Sequence, residues 1–232
     1  MKEIAIEDKK RSPISWVPTL YFAMGLPFVM INMAATVMFR NLEISDAQIA
    51  FWTSLIMLPW TLKPLWSPFL EMYKTKKFFV ILTQTLTGLM FGLTALALNL
   101  PHFFAICIAI LAVIALSGAT HDIAADGVYM SALSKDDQAK YIGWQGAFYN
   151  IAKLVAQGGL VYVSGVLIKY FAGNIDGVTP FIQASSEHQA AVIAWMGILL
   201  FAGSLMVAFG LYHMKFLPSE QKNEKKVKPT FK

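Results

Sequence analysis

His121, Asp122 and Asp126 continue an apolar run that begins near Phe103, so three ionisable side chains stand where hydrophobic ones surround them. A carboxylate takes up and releases protons, and two on one face repel each other when both are charged, which leaves room for one exchangeable proton. On a helix, Asp122 and Asp126 share a face with Cβ atoms roughly 5–6 Å apart, and His121 lies about 100° around the axis. If that helix spans a bilayer, the face must look at protein, at a partner cation or at a water-filled path, and it becomes a candidate functional site. The chemistry expected is proton exchange, with Asp122 as the principal protonatable group and Asp126 and His121 as coupled or gating neighbours.

A second set of polar residues recurs downstream. Asn150, Lys153 and Gln157 follow helical spacing of three and four, with Gln145 and Tyr149 on an adjoining face. A charge and several amides on one face of an apolar helix suit a cavity wall, with Lys153 as counter-ion and as contact for an anionic substrate group. Lys63 lies within Leu58-Pro59-Trp60-Thr61-Leu62-Lys63-Pro64-Leu65-Trp66-Ser67-Pro68, where three prolines interrupt the hydrogen-bond ladder and two tryptophans suit an interface. Asn32 follows Gly25-Leu26-Pro27, a sequence that suggests a kinked or locally broken helix. Counted at 1.5 Å per residue from their expected span ends, Asp126 lies about 9 Å deep, Lys63 about 12 Å, Asp122 about 15 Å and Lys153 about 18 Å. That order predicts Lys63 beside Asp126 and Lys153 beside Asp122, although a lysine near a helix end also snorkels to the headgroups.

The elements that must position these residues are membrane helices. Of 232 residues 56% are hydrophobic and only 14% charged, and the mean hydropathy is +0.54, more apolar than soluble domains run. Apolar segments near the spanning length of about 20 residues are read at 16–39, 47–70, 78–99, 102–131, 141–169 and 190–213. The fold class is therefore an all-α integral membrane protein, a six-transmembrane-helix bundle at 14–214, with a cytoplasmic N-terminal segment at 1–13 and a basic tail or linker at 215–232. The first span is too long for a cleaved signal peptide and is expected to be retained. Most of the lysines and arginines fall on one side: the segment before 12, Lys74, Lys76 and Lys77, Lys135 and Lys140, and the tail from Lys215. Arg40 and Lys169 fall on the other. The positive-inside rule then predicts both termini in the cytoplasm.

This topology accounts for the net charge of +5, which gives no support for nucleic-acid binding. The single cysteine, Cys107, excludes a disulfide framework and a cysteine metal site. No phosphate loop, zinc spacing or nucleophile elbow occurs, so neither an enzyme, a metal nor a cofactor is expected. Gly88 and Gly92 in the third span and Gly158-Gly159 in the fifth are expected to permit close helix packing. The segment 171–189 reads as a polar loop with turn chemistry.

Two stretches narrow the reading. Thr120-His121-Asp122-Ile123-Ala124-Ala125-Asp126-Gly127 resembles the Gln-Asp-Ile-x-x-Asp-Gly/Ala segment of the anhydromuropeptide permease and acetyl-CoA transporter branch of the major facilitator superfamily, with His121 where Gln is usual. Thr61-Leu62-Lys63-Pro64-Leu65-Trp66-Ser67-Pro68 is similar to that branch's Lys-x-Leu-Trp-x-Pro segment at the cytoplasmic end of its second helix. The resemblance covers essentially the whole chain and corresponds to the N-terminal six-helix half of a twelve-helix fold. It implies secondary active transport in the inner (cytoplasmic) membrane: proton-driven import of cell-wall muropeptides in bacterial members, acetyl-CoA transport in eukaryotic ones. The partners implied are protons, a sugar–peptide or acyl-CoA-like anion, the lipid bilayer, and a C-terminal six-helix half or a second copy. The alternative is a non-transporting six-helix membrane fragment or scaffold, which predicts exposed Asn150, Lys153 and Gln157.

Overall fold

A computed structural model describes residues 12–219 and contains helices but no strand among them. The expected segment 1–13 and tail 215–232 fall for the most part outside the described residues. Five helical spans are long and apolar enough to cross a membrane, which makes the chain a membrane-embedded helical bundle: α1 (Pro13–Asn41), α5 (Lys76–Ala97), α6 (Phe103–Ala132), α7 (Lys135–Phe171) and α8 (Glu187–Phe216). Between α1 and α5 the chain is broken into α2 (Asp46–Ile56), α3 (Leu58–Leu62), a 3₁₀ turn at Lys63–Leu65 and α4 (Ser67–Tyr73). The span expected over 47–70 is thus not one helix. Pro59, Pro64 and Pro68 sit in the first turns of three successive short elements. Each lacks an N–H and clashes with the carbonyl four residues earlier, so a continuous ladder cannot form.

The helix starts follow local chemistry. Ser45, Thr75, Ser134 and Ser186 cap α2, α5, α7 and α8, each accepting a backbone N–H from the first turn. The turn between α6 and α7 closes on itself: Gln138 donates to Leu133 O at 2.9 Å and Met130 O at 3.1 Å, while Tyr129 donates to Gln138 O at 2.6 Å. The two Gln138 bonds satisfy carbonyls that the end of α6 would leave open.

Helix α5 runs between α6 and α8, while α1 packs along the first half of α7 and against α6; the broken segment lies on α6. Small residues set the closest approaches. A Cβ on Gly88 would stand 2.6 Å from Gly203 O, and one on Gly203 would stand 2.6 Å from Gly88 O, so α5 and α8 touch backbone to backbone. Gly25 lies equally close to Tyr149 O of α7. By contrast Gly158 and Gly159 face open space, so the close packing expected of them is absent, whereas a Cβ on Gly203 would stand 3.4 Å from the backbone N of Gly92.

Two π-turns interrupt the long helices, Met30–Ala34 in α1 and Val155–Leu160 in α7, and they pack on each other. The first begins three residues after Pro27, and the helix continues through it rather than breaking at Gly25-Leu26-Pro27. At one end of the bundle Lys77 Nζ donates to Leu217 O at 2.7 Å, Tyr212 donates to Ser15 O at 2.6 Å, and the Lys76 stem lies against Gly127. The start of α1, the start of α5, the C-terminal turn of α6 and the end of α8 therefore meet there. Arg40, paired with Asp46 at 2.9 Å, and the segment from Ala172 to Ser186 lie at the other ends of their helices. Gly173 and Gly177, both at φ 72°, supply the left-handed positions that its turns require. Leu89, Leu93, Leu96, Val113, Leu116, Leu200, Phe201 and Leu211 are exposed, as side chains facing lipid would be.

Candidate functional site

The broken segment delivers two side chains to α6. Trp60 donates from Nε1 to Asp122 Oδ2 at 3.1 Å, and the Lys63 ammonium pairs with that same oxygen. The proline breaks make this possible, because they place α3 and the 3₁₀ turn against α6. Gly118, one turn before Asp122, leaves room for the Trp60 ring, whose edge a Cβ there would meet at 2.9 Å. Phe28 of α1 holds the indole from the other side with centroids 5.2 Å apart, edge to face. Asp122 is 8% exposed. Lys63 keeps 28% of its side chain accessible and lines an open hollow of about 470 Å³ with Pro64, Ser67, Pro68 and Ile123.

Asp126 takes a different partner. Tyr21 of α1 donates its hydroxyl to Asp126 Oδ1 at 2.9 Å, and the Tyr21 ring meets Tyr129 edge to face at 5.7 Å. Asp126 itself is exposed. The pairing expected from depth is therefore corrected: Lys63 meets Asp122, not Asp126, and among the described residues no carboxylate comes within ion-pair distance of Lys153. Lys63 does not lie on a straight span, because the prolines break the segment that carries it. Lys153 instead places Nζ over the Tyr149 ring, 5.1 Å from its centroid, a cation–π arrangement.

The remaining expected site residues form an open face. Asn150 and Gln157 are exposed, and Gln145, Tyr149 and Lys153 are partly buried along α7. Asn150 donates back to Gly146 O of its own helix at 2.8 Å. Asn32 is exposed within the π-turn of α1, which packs on the π-turn carrying Gln157. Helix α7 is the least buried of the five spans.

His121 points away from this face. Its Nε2 accepts from Gln84 Nε2 at 3.0 Å, Gln84 Oε1 accepts from His213 Nδ1 at 2.9 Å, and His213 Nε2 lies 3.0 Å from Thr19 Oγ1. This chain links α6, α5, α8 and α1 through the middle of the bundle. Gln84 and His213 are fully buried and His121 is 2% exposed. His213 lies in the last turn of α8, at the span end where it is expected, and is buried there. Sequence reading missed Gln84, His213 and Thr19; Gln84 had one signal, an amide inside an apolar helix. A second polar link lies one turn deeper, where Thr87 and Ser117 share a hydrogen bond at 2.9 Å and Ser117 also donates to Thr83 O at 3.0 Å.

The chain matches no protein-family model, no curated protein and no solved structure. What the site can do is read from its own geometry. Among the described residues no three His, Cys, Asp or Glu side chains converge as metal ligands would. The arrangement offers a buried carboxylate held by one cation and one indole N–H, a second carboxylate open to the outside, and a cation set over a tyrosine ring on a polar helix face.

Proposed function

We propose that this chain is the N-terminal half of a proton-coupled secondary transporter of the major facilitator kind, a permease importing a muropeptide-like or related anionic solute. The observation that carries this reading is the Lys63–Asp122 pair, set on a proline-broken segment and continued by the open polar face of Asn32, Asn150, Lys153 and Gln157. Discontinuous helices beside an ion-binding carboxylate are how membrane transporters build sites at mid-depth. In this reading 46–73 is the sixth span, non-helical in part because it lines the site. Asp122 carries the exchangeable proton, Lys63 holds its charge when the proton leaves, Asp126 and Tyr21 form a neighbouring gate, and Lys153 meets the anionic group of the solute. The basic ends of α5, α7 and α8 face the cytoplasm of a cell with an inner membrane, and a C-terminal half or a second copy covers the open face.

The exposure of Asn150 and Gln157 also favours a second reading, a non-transporting six-helix scaffold that requires a partner half. Uptake of labelled anhydromuropeptide into proteoliposomes under an imposed proton gradient separates the two. The chain fused to a C-terminal six-helix half is expected to accumulate solute, and its Asp122→Asn variant is expected to lose gradient dependence. Absence of uptake by the fusion, by the chain alone and by mixtures of both would favour the scaffold.

A further inference from the structure

Gln84, His213 and Thr19 have no task in the transport reading, yet with His121 they form a polar chain in which Gln84 and His213 are fully buried. An amide presents one acceptor atom and one donor atom, and here each faces a different imidazole. Gln84 Nε2 donates to His121 Nε2, so that nitrogen carries no proton; His121 is neutral, with its hydrogen on Nδ1. His121 Nδ1 is buried and has no hydrogen-bond partner among the described residues. On the other side Gln84 Oε1 accepts from His213 Nδ1. Turning the amide over exchanges the two roles without adding an acceptor. An imidazolium has donors only, so with the amide in either orientation one of the two histidines must present a lone pair.

The surroundings distinguish the two histidines. A charged His213 finds an acceptor for each N–H: Gln84 Oε1 at 2.9 Å and Thr19 Oγ1 at 3.0 Å, and the Thr19 hydrogen is then free to turn to Trp16 O at 3.2 Å. A charged His121 has an acceptor for only one of its N–H groups, since nothing receives its Nδ1 hydrogen in either charge state, and a cationic donor left unpaired costs more than a neutral one. We propose that His121, Gln84, His213 and Thr19 form a one-proton site in the core of the bundle, which seats its proton on His213 and keeps His121 neutral.

Charged and titratable groups stand around this site: Lys77 at the start of α5 on the His213 side, and Lys63 of the 3₁₀ turn, paired with Asp122, beyond His121. Asp122 adjoins His121 on α6, Tyr212 adjoins His213 on α8 with centroids 5.6 Å apart, and Tyr21 lies two residues from Thr19 on α1 with Asp126 as its acceptor. These groups set the pH at which the site fills, not the number of protons it holds. In the proton-coupled reading, on which only this use of the site rests, a charge at His213 would bear on the four helices that meet there.

The test is a pH titration of the full chain, 15N-labelled at histidine, in lipid nanodiscs, read by NMR. Assignment uses single His→Gln variants of its four histidines, His102, His121, His188 and His213. Expected is a single step in which both nitrogens of His213 become pyrrole-type while His121 keeps one pyridine-type nitrogen throughout. Gln84→Glu, which offers an acceptor oxygen to each ring, is expected to move the His121 hydrogen from Nδ1 to Nε2 while His213 charges; Thr19→Val is expected to abolish the His213 step over the same pH range. Simultaneous charging of both rings in the unsubstituted chain, charging of His121 first, or no step at His213 before unfolding would each overturn the proposal. Because that titration needs no solute, it can fail while uptake succeeds, and uptake can fail while it succeeds.

Discussion

Adjacent residues on α6 open onto two unlike polar regions. His121 enters a seam where Gln84, His213 and Thr19 bond to one another and the backbones of Gly88 and Gly203 touch. Asp122 faces the other side, where Lys63 and Trp60 hold it but Asn32, Asn150 and Gln157 are exposed and Gly158 and Gly159 meet nothing. In the first region nearly all polar capacity is met by the chain's own groups. In the second, polar side chains and missing side chains are both left facing outward. Polarity in an apolar helix therefore has two uses in this protein: to fix helices to each other, and to furnish a surface.

The sharpest way to break that comparison is to remove the ion pair that holds the second region. Asp122→Asn leaves the Lys63 ammonium without its counter-ion on the border between the regions. Breaking a buried pair costs about 3–5 kcal/mol, and about 3 kcal/mol is expected here because Lys63 keeps 28% exposure. Thermal unfolding in detergent would read it, and Lys63→Met combined with Asp122→Asn is expected to recover most of the loss. If the single variant unfolds like the parent, the pair does not hold the broken segment to α6.

Glycines give the next largest contrast. Gly203→Ala places a methyl group 2.6 Å from a backbone oxygen that cannot step aside, and overpacking of this kind costs about 1–3 kcal/mol. Gly159→Ala on the open face meets nothing and is expected to stay within about 0.5 kcal/mol of the parent. Equal losses at the two positions would mean that the open face is covered in the membrane. Truncating the seam itself is a smaller change: Ser117→Ala removes the bond to Thr87 and the bond to Thr83 O, at about 0.6–2 kcal/mol for interhelical bonds in membrane proteins.

The sequence revealed the second region better than the first. Asp122, Asp126, Lys63 and the Asn150-Lys153-Gln157 stripe stand out because charge and amide groups are rare in spanning segments, and hydropathy located four of the spans to within about three residues and α7 with its start about six residues late. The partner of Lys63 was not legible, since it depends on where Pro59, Pro64 and Pro68 send the chain. The seam was less legible still. Gln84, His213 and Thr19 are isolated polar residues on three helices separated by long stretches of chain, with no shared period, and only packing brings them together. Glycines were misread for the same reason. Sequence cannot tell Gly88 and Gly92, which lie against Gly203, from Gly158 and Gly159, which meet nothing.

The smallest stability effect carries the finest distinction. Gln157→Cys and Asn150→Cys are each expected to leave unfolding within about 0.5 kcal/mol of the parent, as exposed positions do. Cys107, the only native cysteine, is buried and gives little background to thiol labelling. A membrane-impermeant maleimide reaches these cysteines if the face is wet, whereas only a lipid-soluble one reaches them if it looks at hydrocarbon. The wet outcome is expected, because Lys153 lies on the same face with no carboxylate in reach, and an ammonium at that depth is expensive against lipid. Protection of Gln157→Cys on fusion to a six-helix half would place the partner on this face. Labelling by the lipid-soluble reagent alone would remove the distinction between the two regions, since both would then be closed to water.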